Sequence, residues 1–128
     1  MNKLIIDVAN EKIFLLIITS NNIYNITHEN TKINYEKLTL IITDFLNSWS
    51  LKISDINKIY INRGPGSFAG IRNSLSVVKA FNVAKKIDFY CYSLDDFKGE
   101  KDLRYKNIPN LCNKFKIKKN LINPIYIS

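Results

Sequence analysis

The chain has 128 residues, 46% of them apolar and 23% charged, the balance of a water-soluble domain with enough apolar material for one core. Its two cysteines, Cys91 and Cys112, lack CxxC or metal-ligand spacing, and the single histidine, His28, excludes a histidine-rich metal centre built from this chain. The formal charge of +8 is lopsided: residues 1–97 hold eleven basic and nine acidic side chains, and residues 98–128 hold eight and two.

Taken in order, Leu4 to Ala9 is an apolar run carrying one acid, Asp7, and closed by Asn10, as in a central strand ending at a turn. Lys12 to Thr19 reads as a second strand, bounded by the Ser20-Asn21-Asn22 cluster. Ile23 to His28 alternates and makes a third, nearer the sheet edge. Short turns between the three strands imply an antiparallel meander. The period then changes. Tyr35, Leu38, Ile42, Phe45 and Trp49 fall at steps of three and four, marking a helix over 34–49 with Asn34 as its N-cap. Leu40, Ile41 and Leu46 widen its apolar face. A fourth strand, Lys58 to Ile61, follows the turn-like Ser54 to Asn57.

Next comes Asn62-Arg63-Gly64-Pro65-Gly66-Ser67-Phe68-Ala69-Gly70-Ile71-Arg72, with three of the four glycines in the chain. It reads as a tight turn between strand and helix. Pro65-Gly66 suits the centre of a type II turn, with φ > 0 at Gly66. Ser67 stands where an N-cap belongs, and Gly70 permits a close approach of the new helix. The helix over 68–86 shows two apolar rows, Ile71, Leu75 and Val78 in one and Val77, Phe81 and Ala84 in the other. Two rows imply burial between the sheet and a second body: the first helix, a partner protein or both. Ile87 to Tyr92 is a fifth strand, and Ser93 opens a short helical turn. Beyond Lys98 the pattern weakens. Lys114, Lys116, Lys118 and Lys119 form a basic stretch interleaved with Tyr105, Phe115 and Tyr126, and 122–127 could add an edge strand despite Pro124.

The segment Arg63 to Arg72 resembles the RGPGSFTG[IV]R signature of the TsaB (YeaZ) family, with Ala69 in place of the usual threonine. Residues 4–10 are similar to the family's opening strand, and the likeness extends over residues 1–97. The resemblance implies one lobe of the actin/Hsp70/sugar-kinase (ribonuclease H-like) fold, a mixed five-stranded sheet with two main helices. Family members carry a second lobe that residues 98–128 cannot supply, so that segment is expected to be a basic tail. By resemblance the chain is a non-catalytic scaffold subunit that heterodimerises with a TsaD-type protein. A TsaE-type ATPase joins them in threonylcarbamoyl transfer to adenosine of tRNA, and ATP and threonylcarbamoyl-adenylate belong to that complex. The expected interface uses Leu38, Ile42, Phe45, Ile71, Leu75, Val78 and Phe81.

Three other readings come from the residues themselves. Arg63 and Arg72 flank the turn and could meet a phosphate or a partner's carboxylate, although no GxxxxGK[ST] pattern is present. Asp7 lacks the following glycine of a phosphate-binding turn and reads as a structural acid or turn former; a nucleotide-binding homodimer is the alternative. The Lys-rich tail could track RNA phosphates or be a solvated terminus. Hydrolysis has no support, since Ser67 lacks a histidine base and no HExxH pair exists. No leader and no apolar run of membrane length is seen, which leads to the expectation of a cytoplasmic protein.

Overall fold

The computed structural model describes residues 1–127. Five strands form one sheet in the order β3-β2-β1-β4-β6, made of β1 (Lys3–Asp7), β2 (Lys12–Ile18), β3 (Ile23–Glu29), β4 (Lys58–Asn62) and β6 (Asp88–Tyr92). The meander β1-β2-β3 is antiparallel, while β1, β4 and β6 run parallel. Burial explains the composition of each strand. β1 is apolar at every central position because both of its faces are covered: Leu4 and Ile6 join one core and Ile5 the other. β3 alternates because it is an edge strand with one face in water.

The expected first helix is two: α1 (Lys32–Glu36), capped by the Thr31 hydroxyl rather than by Asn34, and α2 (Leu38–Ser48). They break at Lys37, whose backbone departs from helical geometry (φ −99°, ψ 17°). Trp49 ends α2 as its C-cap and stacks on Tyr24 at 3.6 Å. The long helix α3 (Phe68–Lys85) starts where the glycine turn predicts, and Ser67 is its N-cap, accepting the Gly70 N–H at 3.4 Å.

Leu38, Ile42, Phe45, Ile71, Leu75, Val78 and Phe81 all lie in the core between α2, α3 and the sheet, none more than 9% exposed. They are therefore not surface residues of this chain. The sheet is wide enough to take both expected rows of α3: Val77 is half-buried against the same core, and only Ala84 of the second row faces out.

The opposite face of the sheet is covered by the C-terminal segment. Helix α4 (Ile108–Lys114), with Pro109 in its first turn, lays Ile108, Leu111 and Cys112 on Ile5, Leu16, Tyr60, Tyr92 and Phe97. Residues 98–127 thus supply Ile108, Leu111 and Cys112 to a second core and are packed on the sheet, which a free tail would not be. Their last stretch adds no strand to the main sheet. It makes the two-residue β7 (Tyr126–Ile127), parallel to β5 (Gly66–Ser67) in the turn.

Candidate functional site

The glycine turn lies at the carboxyl ends of β1 and β4, the edge of a parallel sheet where ligands bind in open α/β folds. Its geometry differs from a type II turn. The Gly64–Pro65 bond is cis, and the residue with positive φ is Gly64 (+115°), not Gly66. A Cβ on Gly64 would stand 2.1 Å from the Ile125 carbonyl oxygen, so glycine is needed where the C-terminal segment crosses the turn. That segment is bonded in place by the Ile125 N–H donating to the Arg63 carbonyl at 2.8 Å. Gly66 and Gly70 serve close packing: Cβ atoms there would meet Ala9 and Ile71, and the Ser67 hydroxyl, at 3.0 Å.

Asp7 ends β1 at 2% exposure. Its Oδ1 accepts the Ala9 N–H at 2.9 Å, and its Oδ2 accepts the Asn62 side-chain amide at 3.1 Å and the Tyr105 hydroxyl at 2.7 Å. The Asn10 amide reaches both oxygens at 3.3–3.4 Å. Asn62 continues the chain of bonds by accepting the Gly64 N–H at 2.9 Å. Asp7 therefore ties together β1, β4, the turn and the C-terminal segment, with both oxygens engaged. Burial, aided by the Asp7 carboxylate, pushes the Tyr105 hydroxyl above its ordinary pKa, keeping it a donor. Sequence reasoning singled out Asp7, and Tyr105 only as an aromatic near the basic stretch; it did not join them, because 98 positions separate them and no local pattern links them.

The two arginines of the turn diverge. Arg63 is spent inside the chain: its Nη2 meets Asp96 Oδ1 at 2.8 Å, its Nε meets Oδ2 at 3.4 Å, and its Nη1 donates to the Asn123 carbonyl at 3.0 Å. It fastens the C-terminal segment and has no fork left for an outside anion. Arg72 is exposed on α3 and lies over the Phe68 ring at 5.9 Å.

Large apolar side chains are exposed on both α1 and α3. Ile33 is 68% exposed and Phe68 52%. Phe68 tilts against the half-exposed Tyr126 at 4.7 Å between ring centres. Between the two helices runs a groove of about 480 Å³, with Tyr35, Phe68, Ala69, Arg72 and Ser76 in its walls.

The basic stretch is split as well. Lys114 pairs with Glu100, and Lys119 lies 3.7 Å from Asp88, while Lys116 and Lys118 are exposed. Two of its aromatic neighbours are engaged inside the chain: Tyr105 stacks on Phe14 at 4.1 Å, and Phe115 packs on Phe97. Burial pushes the Cys91 and Cys112 thiols up to about 12, far from a reactive thiolate. Among the described residues no group of three or more His, Cys, Asp or Glu could hold a metal ion, and no helix is long and apolar enough to cross a membrane.

Residues 25–93, more than half of the chain, match the family model of TsaD, tRNA N6-adenosine threonylcarbamoyltransferase. No curated protein matches the sequence. Among solved structures the chain is similar to YeaZ from Pseudomonas aeruginosa, with 21% identity and a TM-score of 0.66, over 72% of this chain and 43% of that one. It thus spans less than half the length of that YeaZ chain. RuvC of Thermus thermophilus, in complex with a Holliday junction substrate, shares the fold at 9% identity and a TM-score of 0.53, over 77% of this chain and 68% of RuvC. The ribonuclease H-like sheet expected from the turn is borne out by both.

Proposed function

We propose that this chain, which belongs to the TsaD family, is its YeaZ-like (TsaB-like) member: a non-catalytic subunit that pairs with a TsaD-type protein. The pair supports threonylcarbamoyl transfer to adenosine of tRNA. A TsaE-type ATPase is the further component, and ATP and threonylcarbamoyl-adenylate bind in the complex rather than on this chain. The setting is the cytoplasm. The observation that carries the reading is the outer face of α1 and α3. Its inner side is already filled by the chain's own core, yet Phe68 and Arg72 remain in water along a groove.

The interface therefore consists of Phe68, Ala69, Arg72 and Ser76, in place of the seven core residues first expected. Burying the exposed half of Phe68 would contribute roughly 0.8–1.5 kcal/mol. The non-catalytic assignment is supported by Asp7, whose oxygens are held by Ala9, Asn62 and Tyr105. A carboxylate with those partners is a strut between strands, with both oxygens already engaged inside the chain.

Titration calorimetry with the TsaD-type protein from the same organism tests the pairing. Phe68→Glu with Arg72→Glu should weaken it by at least about tenfold, the loss of one buried anchor. An unchanged affinity in variants that melt like the parent removes this face as the interface. Self-association at equal concentration, measured by sedimentation, would assign the face to a homodimer instead.

A further inference from the structure

A second cleft, of about 520 Å³, opens on the other side of the sheet from α3. Its walls come from distant parts of the chain: Lys3 and Lys58 at the start of β1 and β4, and Lys116 and Lys119 just after α4. Tyr60 and Tyr90, stacked at 5.1 Å between ring centres, make its floor, and the Lys58 ammonium sits 5.9 Å above the Tyr90 ring. Asn113 of α4 adds a neutral polar side chain at the rim.

Lys119 is offset by Asp88 at 3.7 Å. Among the described residues, no Asp or Glu side chain forms an ion pair with Lys3, Lys58 or Lys116. Folding thus gathers three uncompensated ammonium groups from sequence positions more than fifty residues apart. Like charges brought to one concave site repel, and the cleft wall focuses their field outward toward an anion. None of the residues lining the cleft is glycine, so no backbone loop closes round a single phosphate. Separate point charges of lysine instead suit successive phosphates along a strand. The exposed Lys118, next to the cleft in sequence, extends the basic surface beyond the opening.

We propose that this cleft binds the phosphodiester backbone of a single nucleic-acid strand, with Lys3, Lys58 and Lys116 as its phosphate contacts. The site is independent of the helix face assigned above to a protein partner, being built on the opposite core.

The test is fluorescence anisotropy of a labelled, unstructured twenty-nucleotide RNA with the full chain, over a salt series. The cleft variant is Lys3→Gln, Lys58→Gln and Lys116→Asn; asparagine tolerates the left-handed backbone of Lys116 (φ 54°). The comparison variant, Lys32→Gln, Lys52→Gln and Lys85→Gln, removes the same charge away from the cleft. Losing three phosphate contacts should weaken binding at low salt by about tenfold or more. It should also flatten the slope of log K against log salt by about 2, at ~0.7 per contact on a single strand. The comparison variant should change affinity by less than about threefold, and both should melt like the parent; Lys116→Asn alone serves if the triple variant does not. A DNA strand of equal length that binds as well supports a site reading phosphates, and weaker DNA binding supports one that also senses the ribose. Equal losses in the two triple variants, or no RNA binding at all, would overturn the proposal. Displacement of the RNA by micromolar ATP or inorganic phosphate would also overturn it, assigning the cleft to a small anion.

Discussion

The two faces of the sheet are closed by different kinds of structure. On one, α2 and α3 present regular apolar stripes, and Leu38, Ile42, Leu75 and Val78 interlock with Leu4, Ile6, Ile59 and Ile61. On the other, a seven-residue helix and several irregular stretches cover Ile5, Tyr60, Tyr92 and Phe97. The first face is held by packing along whole helices. The second adds long-range polar ties: Tyr105 to Asp7, Arg63 to Asp96 and the Asn123 carbonyl, and the Asn120 side chain to the Phe89 N–H at 2.9 Å and to Asp88. A helix buries a continuous stripe and tolerates local change. A cover made of short pieces depends on where each tie pins it.

The strongest way to break this contrast is to remove residues 98–128. Tyr92 and Phe97, 0% and 2% exposed, would then face water together with Tyr60. The shortened chain is expected to lose its cooperative thermal transition and to bind a hydrophobic dye. A sharp calorimetric transition at the parent temperature would show that residues 1–97 are a self-sufficient lobe. Next in size are single core truncations. Leu75→Ala under α3 and Leu111→Ala under α4 should each cost about 2–5 kcal/mol in urea unfolding, since both side chains are nearly fully buried. A negligible cost for Leu111→Ala would mean that the second face is only loosely covered.

Tyr105→Phe sharpens the comparison at one tie. It keeps the ring on Phe14 and deletes one donor to a buried carboxylate, an effect of about 1.5–3 kcal/mol. Gly64→Ala should be of similar size, roughly 1–3 kcal/mol for the backbone strain at φ +115°, and should also displace Ile125. Proteolysis within 115–125 would report that displacement, and unchanged protection would argue that the crossing at Gly64 can relax.

How far the sequence discloses this structure follows from the same contrast. Strands β1 to β4 and α3 were legible as apolar runs or by their period, and so was the place of the turn, but not its geometry: the positive φ falls on Gly64 instead of Gly66. Of what was legible, Ser67 as N-cap is the clearest case. The second face was not legible. Ile108, Leu111 and Cys112 span barely more than one helical turn, too few to establish a period, and Pro109 reads as a breaker although it sits in the first turn, where it is tolerated. The interface assignment failed for another reason. Periodicity identifies the apolar stripe of a helix but not what covers it, so Ile71, Leu75, Val78 and Phe81 could not be told from partner contacts until the sheet was in place. At the candidate site, Asp7 and Arg63 could be picked out locally. Their partners Tyr105, Asp96 and Asn123 lie 98, 33 and 60 residues away.

The smallest predicted effect separates the faces by chemistry. Cys91 belongs to the first core and Cys112 to the second, and burial raises both thiols from 9.0 to about 12. In the unfolded chain both would ionise near pH 9, while the folded chain keeps its protons. Between those values the unfolded state binds fewer protons, so stability is complete below about pH 9 and falls as pH rises toward 12. Urea midpoints measured from pH 8 to 11 should decline steadily, and Cys112→Ala or Cys91→Ala should each remove part of the slope. The buried Tyr60, Tyr92 and Tyr105 hydroxyls, also pushed upward, add to the decline above their ordinary value of 10.0. Thiol labelling at pH 8 divides the contribution between the faces. If the short-piece cover opens locally more often than the helical one, Cys112 should react with a disulfide reagent faster than Cys91. Equal rates that track global unfolding would mean that a few well-placed polar ties hold the second face as firmly as two helices hold the first.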